Sequence, residues 1–183
     1  HGHDAFLIEF EQLEQIIEGI FRPETKNKRM KVLKFGGKSL ANGDGLNRVL
    51  SIIEHKVNEG ERIAVVVSAR GKATDTLEAI LEKAAKKQDY QTAFEMFKSY
   101  QTEPLPSIDF TEEFSELNNI FEGVKLLGDY SDKIKAQVLS YGELLSVKLI
   151  SELLKSKDIN ANPTDARILI KTDADYINAQ PQD

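Results

Sequence analysis

Cysteine is absent from the 183 residues, which excludes a disulfide framework, a thiol nucleophile and a zinc-thiolate site. Apolar runs are all short, so no stretch is long enough to span a bilayer. Positive charge is in deficit: 24 Lys and Arg stand against 30 Asp and Glu, a formal net charge of −6. A nucleic-acid surface needs a basic stripe, so neither a nucleic acid nor a membrane is expected as a partner. No basic-then-apolar leader opens the chain, and a cytoplasmic location is the expectation. Internal repeats and low-complexity segments are also missing. What is there, 40% hydrophobic and 30% charged residues, describes a globular chain with one full core, too short for two ordinary domains plus linkers.

His1-Gly2-His3 reads as the stub of a cleaved tag. Phe6, Leu7, Phe10, Leu13, Ile16, Ile17, Ile20 and Phe21 recur at helical spacing, ahead of Pro23. An amphipathic helix is expected there, docked on the domain or on a partner chain. Met30 resembles a natural start, so residues 1–29 are set apart from a domain covering 30–183.

The chain is organised around Lys31-Val-Leu-Lys-Phe-Gly-Gly-Lys-Ser39. A short strand stops at Gly36-Gly37, and a polar pair leads towards a helix. Glycine lets backbone N–H groups approach an anion closely, and the start of a helix favours negative charge. Lys34 can set an ammonium beside the same anion. A plain strand-to-loop turn with a surface lysine fits the spacing equally well. Neither the Walker spacing nor Gly-x-Gly-x-x-Gly is present.

Asn42-Gly43-Asp44 supplies a helix start, and Leu46 to Val57 reads as helix. Arg62-Ile-Ala-Val-Val-Val-Ser68 is an apolar, β-branched run, the pattern of a strand buried on both faces of a parallel sheet. Strand, helix and strand make one right-handed βαβ unit. The second strand ends in Ser68-Ala-Arg-Gly-Lys-Ala-Thr-Asp75, and in such sheets ligands gather at the carboxyl ends of strands. Helices are expected over 76–87, 90–100, 110–127 and 131–157, with a loop at 102–107. Gly142 interrupts the last helix: either something approaches it closely, or two helices meet there. A short strand is expected over 158–163, joined through Thr164-Asp165-Ala166 to a further segment at 167–171.

Four blocks together resemble aspartokinase, of the amino-acid kinase superfamily. They are Lys34-Phe-Gly-Gly-Lys-Ser39, Val65-Val-Val-Ser-Ala-Arg-Gly-Lys-Ala-Thr-Asp75, Leu139-Ser-Tyr-Gly-Glu-Leu-Leu-Ser146 and Asp165-Ala-Arg-Ile-Leu-Ile-Lys-Thr-Asp173. The opening at Met30 is also similar to two-headed proteins that join aspartokinase to homoserine dehydrogenase. The resemblance implies an α/β fold, a three-layer αβα sandwich with a mainly parallel sheet, of which this chain would hold only the N-terminal, amino-acid-binding lobe. It implies transfer of the γ-phosphoryl group of ATP to the β-carboxylate of L-aspartate, as a step towards lysine, threonine and methionine. ATP would be a co-substrate with Mg2+ carried by the nucleotide, no metal being held by the chain's own residues. The full-length parent would be a homo-oligomer, and the fragment alone inactive. Lys38 departs from the family, which usually has threonine or serine there.

Carried over residue by residue, Lys34 would bridge the phosphates as the catalytic cation. Gly36 and Gly37 would donate backbone N–H groups, and Ser39 a hydroxyl to the phosphate or the substrate. Thr74 would hydrogen-bond the amino acid, Glu143 would meet its ammonium group and Arg167 a carboxylate. Competing structural roles are helix capping for Thr74, a solvated surface for Glu143 and an internal pair with Asp165 for Arg167. Two rival readings remain. One is a non-catalytic binding or assembly module; the other is a related amino-acid kinase acting on another acidic substrate.

Overall fold

The computed structural model describes residues 30–41, 43–169 and 176. The helix expected over Phe6–Phe21, the tag stub, Asn42, Lys171 and Asp173 lie outside the described residues.

Strands β1 (Lys31–Phe35) and β2 (Ile63–Val67) pair in parallel, in register from Lys31 opposite Ile63 to Phe35 opposite Val67. Helix α1 (Asp44–Asn58) crosses between them, so the expected βαβ unit is formed. The buried residues of α1, Leu46, Val49, Leu50 and Ile53, follow helical spacing. They pack with Phe35, Ile63, Val65 and Val67 of the sheet and with Ile150 and Leu154 of a later helix. Each of the four buried α1 side chains contributes roughly 1.5–3 kcal/mol on burial.

Alternation sends Ala64 and Val66 to the opposite face, and neither belongs to an apolar core of the described residues. All five β2 residues are accordingly half-buried. The unbroken apolar run led to an expectation of burial on both faces; the described residues build an apolar core on one.

Four helices follow: α2 (Ala73–Ala85), α3 (Gln91–Thr102), α4 (Thr111–Leu127) and α5 (Asp132–Lys155). Their facing sides form a second core that includes Leu77, Ile80, Phe94, Phe121 and Leu145. Phe94 meets Phe114 and Phe121 edge-on, with ring centroids 6.3 and 5.3 Å apart. Gly128 closes α4 in the left-handed conformation at φ 82°. Helix α5 runs unbroken for 24 residues, about 36 Å. Val138 to Leu149 belong to the helical core, Ile150 and Leu154 to the sheet-side core. It is the element that fixes the sheet against the helices.

The strand expected over 158–163 does not form. Ile159 N–H bonds back to the Leu154 carbonyl, and the Ser151 hydroxyl donates to the Ala161 carbonyl at 2.9 Å. Helix α5 thus takes the backbone groups that a neighbouring strand would have used. A single turn, α6 (Ala166–Leu169), comes next. Among the described residues no helix is long and apolar enough to cross a membrane.

Candidate functional site

Parallel pairing puts the loops after β1 and β2 at the same end of the sheet. The ladder continues into them: Ser68 N–H donates to the Phe35 carbonyl at 3.1 Å, and Gly71 N–H to the Gly37 carbonyl at 2.9 Å. A Cβ on Gly37 would overlap the Ala69 carbonyl oxygen, which only glycine avoids. Gly71 adopts φ +60°, beside the Tyr100 hydroxyl. Gly36 has open space where its side chain would be. Residues Gly37–Leu40 form a 3-10 turn, anchored by fully buried Leu40, before α1 begins. The helix starts at Asp44, where the Asn42-Gly43-Asp44 signal put it, one 3-10 turn beyond the glycines.

Helix α5 closes against the second loop. A Cβ on Gly142 would lie 2.8 Å from the Ala69 Cβ, and the helix does not break there. Of the two explanations for this glycine, close approach is the right one. Ser146, a turn later and fully buried, accepts the Arg70 N–H at 3.0 Å and donates to the Gly142 carbonyl at 2.8 Å. The Arg70 side chain is buried, reaching the Tyr100 carbonyl through Nη2 with its guanidinium carbon 4.0 Å from the Tyr100 ring centroid. Desolvation pulls its pKa down. The second loop is thus pinned from α5 and from α3.

Glu143 projects from the same stretch of α5, and its Oε1 accepts the Ala69 N–H at 3.3 Å. Burial pushes its carboxyl above the ordinary glutamate range, against the opposing effect of backbone N–H donors. Among the described residues no cation pairs with it. A half-buried carboxylate held by backbone N–H groups, with no counter-charge among the described residues, is prepared for a cationic group.

The other expected site residues are placed as follows. Lys34 is exposed in β1, on the sheet face shared by Val32, Ala64 and Val66, one residue before the glycines. Ser39 is exposed in the 3-10 turn, its N–H bonded to the Gly36 carbonyl at 3.0 Å. Thr74 is half-buried in the first turn of α2, because that helix starts three residues earlier than its apolar pattern indicated. Arg167 pairs with Asp165, Nη2 to Oδ2 at 2.6 Å, and reaches α5 through Nη1 to Ser140 Oγ at 3.1 Å. The internal pair weighed for it is formed. Sequence reasoning did not single out Ser146, Arg70 or Ser140, and named Asp165 only as the competing partner of Arg167. Helical spacing held the signal for the first: Leu139, Gly142, Glu143 and Ser146 fall on one face of α5.

The model of the "Amino acid kinase family" matches residues 29–181. The chain belongs to the amino acid kinase family. The bifunctional aspartokinase/homoserine dehydrogenase of Buchnera aphidicola subsp. Acyrthosiphon pisum is 37% identical over 145 residues, 72% of this chain and 18% of that protein. Lysine-sensitive aspartokinase 3 of Escherichia coli is 26% identical over 156 residues, 82% of this chain and 34% of that protein. A crystal structure of Clostridium acetobutylicum aspartate kinase aligns with a TM-score of 0.56 at 25% identity, covering 76% of this chain and 31% of that one. This amino acid kinase chain therefore spans from 18% to 34% of the length of those two relatives.

Proposed function

We propose that residues 30–183 form the amino-acid-binding lobe of an aspartokinase, with residues 1–29 as an extension outside it. In the complete enzyme the γ-phosphorus of ATP is transferred to a β-carboxylate oxygen of L-aspartate. The bond from that phosphorus to the β,γ-bridging oxygen breaks, ADP leaves, and 4-phospho-L-aspartate forms. The observation that carries this reading is the meeting of three pieces: the two hydrogen-bonded glycine loops and a desolvated Glu143 beside Ala69.

Phosphoryl transfer demands positioning and neutralisation of charge more than covalent chemistry. Lys34 meets the charge that grows on the transferring phosphate. Gly36 and Gly37 offer backbone N–H groups to the phosphate oxygens, and Ser39 offers a hydroxyl. Glu143 takes the α-ammonium group, Thr74 a hydrogen bond to the amino acid, and Arg167 the α-carboxylate, which leaves the β-carboxylate for the glycine loops. Mg2+ arrives on the nucleotide and offsets phosphate charge. Among the described residues no group of three or more His, Cys, Asp or Glu is placed to hold a metal ion. The nucleotide is held mainly by a second lobe, and the complete enzyme is a cytoplasmic homo-oligomer.

Calorimetric titration of the 183-residue chain with L-aspartate tests the reading. Binding that is lost in Glu143→Gln and is not reproduced by D-aspartate is the expected result. Absence of binding at ligand concentrations well above a millimolar would overturn it.

A further inference from the structure

Asp165 has no part in the roles given above, yet it makes the tightest set of contacts to any of the expected site residues. Its Oδ1 accepts the backbone N–H of Arg167 at 2.9 Å. Its two carboxylate oxygens share the Nε–H at 3.0 and 2.9 Å, and Oδ2 takes one Nη2–H at 2.6 Å. On the other side, Ser140 accepts from Nη1 at 3.1 Å while giving its own proton to the Gln137 carbonyl at 2.7 Å. With that proton committed, a Ser140 lone pair is left for the guanidinium. The Tyr141 ring centroid lies 6.0 Å from the guanidinium carbon, and the Tyr141 hydroxyl is itself held by Glu116. A free arginine side chain carries about 2 kcal/mol of rotamer entropy. Here three neighbours have already restricted it.

Which N–H groups are used decides what the pair does. A guanidinium has five. Asp165 takes one from Nε and one from Nη2, and Ser140 takes one from Nη1. Two remain, one on each terminal nitrogen, and no described residue takes them. The Arg167 side chain is 44% exposed, so those groups are accessible. Ser140 and Glu143 are three residues apart on α5, with Cβ atoms on the order of 5–6 Å apart. The α5 residue that Arg167 touches and Glu143 thus lie within one turn of each other.

We propose that Asp165 is a positioning residue: it grips Arg167 from the Nε side and so presents the terminal N–H groups to the α-carboxylate of the amino-acid substrate. The proposal rests on the aspartokinase reading of the site. Ser140 supports the same pose from α5.

The test is a double-mutant cycle on the 183-residue chain, with L-aspartate affinity as the readout. Asp165→Asn keeps an acceptor for the Arg167 backbone N–H but removes the charge. It should raise Kd about tenfold, the size of coupling between members of one hydrogen-bond network. In an Arg167→Ala background the same change should alter Kd less than about twofold. The Arg167 Nε–H resonance, protected in the ligand-free chain, should broaden or vanish in Asp165→Asn. Ser140→Ala should give a smaller loss in the same direction, and serves if Asp165→Asn does not fold. Unchanged or tighter binding in Asp165→Asn would overturn the proposal, as would an equal loss in both backgrounds. Failure of the wild-type chain to bind L-aspartate would sink the site reading and this proposal with it; failure of the Asp165 arm alone leaves that reading intact.

Discussion

Gly142 of α5 and Ala69 of the second loop touch across a space that one methyl group would overfill: a Cβ on Gly142 would lie 2.8 Å from the Ala69 Cβ. That contact sets how deeply the helix meets the loop, and hence where Glu143 and Ser146 stand. Gly142→Ala gains about 1 kcal/mol in helix propensity. Overpacking a buried contact costs about 1–3 kcal/mol. A net loss of roughly 1 kcal/mol is expected, read as a lower urea midpoint. A variant more stable than wild type would mean that the helix can move away from the loop without cost.

Two adjacent glycines should respond differently. Gly36 has φ −76° and open space around a built Cβ, so Gly36→Ala should change stability by less than about 0.5 kcal/mol. At Gly37 the new methyl meets a backbone carbonyl, which no rotamer change can clear. Gly37→Ala should cost about 2 kcal/mol or more. Thermal melts of the two variants side by side decide this, and equal losses would contradict the loop geometry.

Glu143 makes a pH prediction. Its folded-state pKa is raised by desolvation, so the folded protein holds that proton more tightly than the unfolded chain does. The ionised carboxyl therefore lowers stability once the pH exceeds the folded-state pKa, and this effect vanishes below the unfolded-state value. Glu143→Gln should melt higher than wild type at pH 7, with the difference shrinking towards zero as the pH falls below about 4.5. The same substitution should weaken L-aspartate binding more than about tenfold, since the role proposed for the lost group is counter-charge to the ammonium. A stability gain that persists at pH 4 would assign the effect to packing instead of charge.

The 183-residue chain alone should show no aspartate-dependent ADP release in a coupled assay, because transfer depends on holding both substrates in line. In a complete kinase carrying this lobe, Lys34→Ala should lower kcat by about 10²–10³ and leave KM for aspartate nearly unchanged. In the role proposed for it, its ammonium meets charge that grows only towards the transition state. An effect confined to KM for aspartate would give Lys34 the role assigned to Glu143.

Local pattern carried the elements whose burial is one-sided. The apolar stripe of α1 and the β-branched run of β2 were both legible, as was their parallel pairing. Pattern failed where a partner decides the outcome. Residues 158–163 read as strand because their composition permits it, but α5 supplies the hydrogen-bond partners through Leu154 and Ser151. Thr74 read as loop because polar residues give no apolar period, yet α2 begins before it. In the site, the glycine blocks and Glu143 were visible as motifs. The packing of Gly142 on Ala69 arises between segments and has no periodic signature, whereas the Asp165–Arg167 pair is local and was visible as an alternative.

The hydrogen bond from Gly71 N–H to the Gly37 carbonyl has a consequence for how the loops can be observed. One amide proton belongs to one loop and its acceptor to the other. Deuterium can replace that proton only when the two loops part. Its exchange rate therefore counts loop separations directly, without a label and without turnover. Any ligand that draws both loops onto itself must slow that single proton, while a ligand that pulls one loop away must speed it.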